Sequence, residues 1–339
     1  MNDARTGSRL QPHRWTPPPA PPRAKRKTSV PPMPPPRRIP LPGAGPEDVV
    51  LGADGAVYTG IETGQILRID LETDEVTAVL DTGGRPLGLH AGDDGSLLIC
   101  DADRGLLRWP GPGRPLEILV DTVDGRPLGF ASNVVSDPDD GTIYFTSSSS
   151  RWPLDRWLTD LAEHSGTGRL FRLSPDGTVD TLLDGLQFAN GVAFTPDRSA
   201  LIVAETAAYR LVRYPLRGSD SGTADTLVDN LPGFPDNIAL GSDGLIWVTL
   251  ASPRNPVLDT LLPLPGILRR ILWALPERLL PAPERTAWVL GVSPDGTIVH
   301  DIQRDGTDYA MVTGVVESDG TLVLGSLHEQ AVAVTCVPG

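Results

Sequence analysis

Short apolar runs alternate with tight polar turns along most of this chain. Runs such as LLIC, TIYF, LIVA, LIWV and LVLG are rich in β-branched and aromatic residues, and each follows a turn built on Asp, usually Asp-Gly. That is the pattern of strands joined by hairpins. One unit occurs six times: PEDVVLGADGAVYTG, PLGLHAGDDGSLLIC, SNVVSDPDDGTIYFT, ANGVAFTPDRSALIV, PDNIALGSDGLIWVT and VTGVVESDGTLVLGS. The turn aspartates are Asp54, Asp94, Asp140, Asp197, Asp243 and Asp319, spaced 40, 46, 57, 46 and 76 residues apart. About forty residues is one four-stranded propeller blade. The pattern predicts an all-β, six-bladed β-propeller over residues 44–339, with the Asp-Gly pairs at Asp176 and Asp295 in outer hairpins. The C-terminal run VAVTC is expected to help close the ring, since closure removes edge strands.

The two long intervals predict insertions. One contains SRWPLDRWLTDLAEH and the other VLDTLLPLPGILRRILWALPERLL. In the second, Ile267, Leu268, Ile271, Leu272 and Leu275 follow helical spacing around Arg269 and Arg270. Such a helix either packs on the propeller or forms a lid, an entry wall or a lipid-facing patch, so residues 257–280 are a candidate membrane contact that does not span.

Composition changes this picture at one end only. Residues 1–38 hold nine Lys/Arg against one acid, and subtraction from totals of 29 and 43 leaves 20 basic and 42 acidic residues in the body. With its runs PPPAPPR and PPMPPPRR, the stretch 1–43 predicts a disordered, solvated arm. The acidic body argues against nucleic acid as a partner and suits cations. Cys100 and Cys336 lie in apolar runs and are expected to be buried free thiols. No run reaches the roughly 18 apolar residues of a membrane span, and no signal-peptide core is visible, which predicts a cytoplasmic location.

The chemistry lies at one register position. The start of each blade's inner strand faces the propeller axis, seven residues before the turn aspartate (six in the last blade). That position holds Glu47, Leu87, Asn133, Asn190, Asp236 and Thr313. Two carboxylates and two carboxamides facing one point suit a hard divalent cation, calcium above all, whereas zinc would want His or Cys. Asp48 and Asn237 each follow a ligand candidate, and strand alternation would turn them away from the axis to support the ligands. His90 reads as a packed or surface histidine.

The runs FPDNI, LLDGLQFANGVAFTPD, LIVAETAAYRLVRY, FTSSSSRWPLD and VTGVVESDGTLVLGSLH resemble the strictosidine synthase-like family, in its adipocyte plasma membrane-associated protein and hemomucin branch. That branch is related to the gluconolactonases (senescence marker protein), paraoxonases and diisopropylfluorophosphatase. The resemblance implies a calcium in the central channel held by Glu47, Asn133, Asn190 and Asp236, and by Asn237 as a fifth ligand if the paraoxonase pattern applies. It also implies departures. Thr313 stands where strictosidine synthases carry a catalytic Glu, Leu87 where paraoxonases carry a His, and Val134 where a second calcium would need Asp.

The expected function is a calcium-dependent hydrolase of hydrophobic lactones or esters, including aryl esters and phosphotriesters. Asp236 is the candidate general base, or the nucleophile toward a phosphotriester. A non-catalytic calcium-stabilised binding propeller and a strictosidine synthase-like synthase are the alternatives. No Gly-x-Ser-x-Gly or His-Glu-x-x-His motif supports a serine or zinc hydrolase.

Overall fold

The computed structural model describes residues 9–275, 280 and 282–338. Among these residues, six four-stranded antiparallel sheets follow one another as blades. The inner strands are Val49–Leu51, Pro86–Ala91, Ala131–Ser136, Ala189–Phe194, Gly233–Leu240 and Val312–Ser318. Each touches the inner strand of the next blade, and the sixth touches the first, so the expected six-bladed propeller is closed.

The recurring aspartates explain themselves locally. Asp54, Asp94, Asp140, Asp197 and Asp243 each accept the backbone N–H two residues on, from Ala56, Ser96, Thr142, Ser199 and Leu245, at 2.8–3.2 Å. This ties the turn with the residue's own carboxylate. Asp176 and Asp295 do the same for Thr178 and Thr297 in outer hairpins. The core lies between neighbouring sheets, where Phe145 stacks on Phe171 at 5.0 Å and Trp247 and Trp288 are fully buried.

VAVTC takes part in closure as expected, and the arm takes part as well. The sixth blade runs, from outside inward, Arg37–Pro40, Ala331–Cys336, Thr321–Ser326 and Val312–Ser318. VAVTC is its third strand, and the end of the arm supplies the outermost one, with Ile39 opposite Val332. Burial of Ile39 holds this strand, while Arg37 and Arg38 pair outward with Asp74 and Glu329. Proline is compatible with such an edge position. The stretch 9–36 is extended but docked rather than solvated: Ser29 and Met33 donate backbone N–H to the Gln303 carbonyl, and Met33 is fully buried. A segment that docks mostly through its backbone has no hydrophobic period to betray it. Cys100 is buried as expected, but Cys336, at the end of its strand, is exposed.

Both insertions leave the ends of second strands and so rise from the side opposite the Asp-Gly turns. The first carries α1 (Trp157–Glu163), the second α2 (Pro256–Leu261) and α3 (Gly266–Trp273). Asn255 caps α2 by accepting the N–H groups of Val257 and Leu258. The helical period of α3 is as read, and its apolar stripe faces outward rather than onto the propeller. Ile267, Leu268 and Ile271 are exposed, while Arg269 is buried. Among the described residues no helix is long and apolar enough to cross a membrane.

Candidate metal centre and pocket

A backbone irregularity makes the site. In blades two to six the register between inner and second strand shifts across the axial position: between Pro86 and Leu89, Ala131 and Val134, Ala189 and Val192, Pro235 and Ile238, and Val312 and Val315. Such bulges break the two-residue alternation and re-aim side chains. Strict alternation would send Asn237 away from the axis, but the bulge leaves it beside Glu47, to whose Oε2 its Nδ2 donates at 3.1 Å.

The position after the slot matters as well. It holds Gly88, Gly191 and Gly314, where a methyl group would overlap Asn133, Asn237 and Asp48 of the next blade. Glycine there lets adjacent inner strands meet backbone to backbone. Carbonyls at and next to the axial position are satisfied from second strands, of the same blade or the one before. Thr59 donates to Asp48 O (2.6 Å), Thr146 to Asn190 O (2.6 Å), and Thr249 to Asn237 O (2.9 Å). The Cys100 thiol lies 3.3 Å from Asn133 O in the same relation. Sequence reasoning missed this second ring. Its signal was a Thr or Cys five or six residues after the turn aspartate, inside runs otherwise apolar.

The five proposed ligands are buried together and hydrogen-bonded. Asn190 Nδ2 donates to Asp236 Oδ1 at 2.6 Å; Asn133 Nδ2 lies 3.0 Å from Asn237 Oδ1 and 3.3 Å from Asp48 Oδ2. Asp48 accepts further bonds from Val49 N and Leu89 N, which makes it the buttress between blades one and two. Thr313 spends its hydroxyl on the Glu47 carbonyl at 2.7 Å, tying blade six to blade one.

The three carboxyls are held unusually protonated. Burial pushes Glu47 up to about 7, with Arg85 and Asn237 pulling the other way. Burial and then Glu47 push Asp48 up to about 8, and the same two causes raise Asp236 well above the carboxylate range. The Arg85 guanidinium is committed to the Pro86 and Gly45 carbonyls. Among the described residues no group of three or more His, Cys, Asp or Glu converges as a metal cage. A cation here would therefore rest on carboxamide as well as carboxylate oxygens. Such an oxygen-only set, its like charges otherwise held off only by protonation, fits a hard divalent ion and not zinc.

Glu47, Asn190 and Asp236 form the polar floor of a cavity of about 1200 Å³, measured with its open mouth. Leu87 and Thr313 share the floor; Asn133 and Asn237 do not line it. Phe130, Phe188 and Phe234 wall it, and α1, α2 and α3 roof it through residues such as Trp157, Leu258 and Trp273. His90 lies outside this pocket, in the inner strand of blade two opposite Leu98; burial lowers it to about 4.

The roof is laced by the arm. Trp15 stacks on His164 at 4.5 Å, and Trp15 N donates to Leu262 O. Arg269 donates to the carbonyls of Ala162, Glu163, His13 and Leu262, so one guanidinium joins α1, the arm and the end of α2. Nothing in the sequence pattern singled out these contacts.

The closed six-bladed ring, with an acid-and-amide floor beneath an apolar pocket, is a fold that solved propellers share. The gluconolactonase XC5397 of Xanthomonas campestris superimposes with a TM-score of 0.64, covering 89% of each chain at 17% identity. The calcium-binding protein regucalcin of Agrobacterium tumefaciens gives 0.62 over 90% of this chain and 94% of its own, at 14% identity. These likenesses establish the fold. In sequence, the strictosidine synthase profile matches residues 133–219 and the strictosidine synthase-like N-terminal profile residues 36–69. The mouse adipocyte plasma membrane-associated protein is 35% identical over 308 residues, 84% of this chain and 74% of its own. Strictosidine synthase-like 6 of Arabidopsis thaliana is 31% identical, covering 83% and 76%. The chain belongs to the strictosidine synthase-like family.

Proposed function

We propose that this propeller is a calcium-dependent hydrolase of hydrophobic lactones or esters. The observation that carries the reading is the pocket itself, where Glu47, Asn190 and Asp236 form a compact polar floor beneath walls of Phe and Leu. Glu47, Asn133, Asn190 and Asp236 would hold the cation, with Asn237 close enough to complete the set. The gluconolactonase and regucalcin likenesses support the reading, as does the chemistry of the donors.

The bound ion would supply Lewis-acid polarisation of the scissile carbonyl. The chain's own residues do the rest. Asn190 fixes Asp236 through Oδ1; with a cation at the floor in place of the proton that burial favours, its other oxygen would be free to accept a proton from an attacking water. The phenylalanine walls hold the apolar part of the substrate and exclude bulk water, which strengthens every charge interaction at the floor. Thr313, already committed to the Glu47 carbonyl, has no hydroxyl proton to offer chemistry, which disfavours a synthase reaction at that position.

The test is metal analysis of the purified protein together with a panel of aliphatic lactones and aryl esters, with and without chelator. Turnover lost to chelator and restored by calcium is the expected result. Stoichiometric calcium without turnover of any panel member would favour the binding-module alternative, and a metal-free protein would overturn the centre itself.

A further inference from the structure

The outward apolar face of α3 is the least explained surface of the molecule. Ile267 and Ile271 are 52% and 58% exposed, and Leu268, Val257, Leu264 and Leu275 of the same insertion are exposed as well. A helix packed for its own stability would turn this stripe inward. Here the arginine of the stripe's opposite side, Arg269, is 1% exposed, and its two terminal nitrogens donate to four backbone carbonyls. Four backbone bonds fix the rotation of α3, so the exposed stripe is built in. The helices that carry it also line the pocket through Leu258, Leu261 and Leu272, so patch and pocket wall are continuous.

We infer that this face docks on an anionic lipid surface, with the pocket opening at the interface. Charge points to that occupant. The arm brings Arg9 and Arg14, both exposed, alongside α3, where Arg270 bonds the Leu10 carbonyl and Arg269 the His13 carbonyl. The exposed turn aspartates Asp54, Asp94, Asp140, Asp197, Asp243 and Asp319 lie at the far end of the ring. An apolar stripe rimmed by cations, with the acidic end directed away, matches the interfacial mode of amphipathic helices. A second copy fits less well. Pairing through the same face would oppose Arg9 and Arg14 to their own counterparts.

The experiment is flotation of the full chain with two kinds of vesicle: phosphatidylcholine alone, and phosphatidylcholine mixed equally with phosphatidylglycerol. The readout is partition, so it stands or falls independently of hydrolysis. The protein should float with the mixed vesicles, less with the neutral ones, and less again as salt rises. Ile267→Ser/Ile271→Ser, at exposed positions, should keep the wild-type melting temperature and lower partition by about tenfold or more. Wild-type protein that floats with neither vesicle type overturns the inference, as does a double variant that floats equally well. A dimer in vesicle-free solution that the double variant abolishes would assign the face to a second copy instead.

Discussion

Six copies of one bulged strand make the floor of the pocket, whereas its roof comes from stretches far apart in the chain: residues 9–19, α1, and α2 with α3. The floor is symmetric in backbone and varied only in side chain. Glu47, Leu87, Asn133, Asn190, Asp236 and Thr313 are one position seen six times. The roof has no repeat. It is joined by two buried arginines, Arg269 and Arg254, an aromatic stack and backbone bonds from a proline-rich arm. Repetition fixes where groups converge; the roof shows how much of a site can be built from contacts that occur once. If the floor carries chemistry and the roof access, variants in the two regions should fail in different ways.

The sharpest separation is Asp236→Ala. Turnover of any substrate found should fall by about a thousandfold or more, the scale of losing a general base together with a charge that places the reacting group. Calcium should no longer raise the melting temperature, since a ligand stabilises only the state that binds it. In chelator the variant should melt no lower than the parent, because a buried carboxyl pressed by Glu47 has been removed. A variant that keeps both turnover and the calcium shift would detach the floor from function.

Arg269→Met should break the roof and spare the floor. Four backbone carbonyls lose their donor, a cost of about 3 kcal/mol. Limited proteolysis should then cut within the second insertion while the calcium-dependent rise in melting temperature persists. Loss of the calcium shift in this variant would mean that roof and floor fold as one unit.

These two regions also divide what the sequence disclosed. Spacing of turn aspartates was enough for six blades, and counting back from them found the axial set, because a repeated backbone carries equivalent residues to equivalent places. The bulge was not legible: it depends on hydroxyls such as Thr146 and Thr249 and on glycines such as Gly191, whose purpose appears only across neighbouring strands. Alternation gave Asn237 a supporting role, and its bonds to Glu47 and Asn133 have that form, but the bulge that places it there was not part of the reading. Ile39 was hidden because one apolar residue among arginines and prolines has no period. Helical spacing located α3 but could not orient it, since the burial of Arg269 depends on carbonyls from three distant segments.

A smaller effect, confined to the roof, should follow acidification. Burial, then Arg269 and His13, lower His164 to about 3 from an ordinary value near 6.5. Below about pH 6.5 the unfolded or detached segment takes up a proton that the packed imidazole does not. Stability from this group is therefore whole above that pH and drains away as pH falls toward 3. At about pH 5 the deficit is about 2 kcal/mol. Asp160 on the same helix works the other way, since burial raises it to about 6 and its contribution improves as pH falls; hydrogen exchange over α1 should therefore quicken across this window in the parent and slow in His164→Gln. An α1 whose exchange does not respond to pH would show that the Trp15 stack does not hold the roof.

Thr313→Val tests the floor at its weakest link. The hydroxyl bonds the Glu47 carbonyl and nothing else in this position performs chemistry. Losing one buried hydrogen bond while keeping the side chain's shape costs about 1 kcal/mol. On this structure the change should lower the melting temperature by a few degrees, weaken calcium binding slightly through Glu47, and leave the maximal rate of turnover at saturating metal nearly unaltered. A collapse of turnover at full calcium occupancy would instead make Thr313 a chemical participant, and would reopen the sixth blade as the seat of a different reaction.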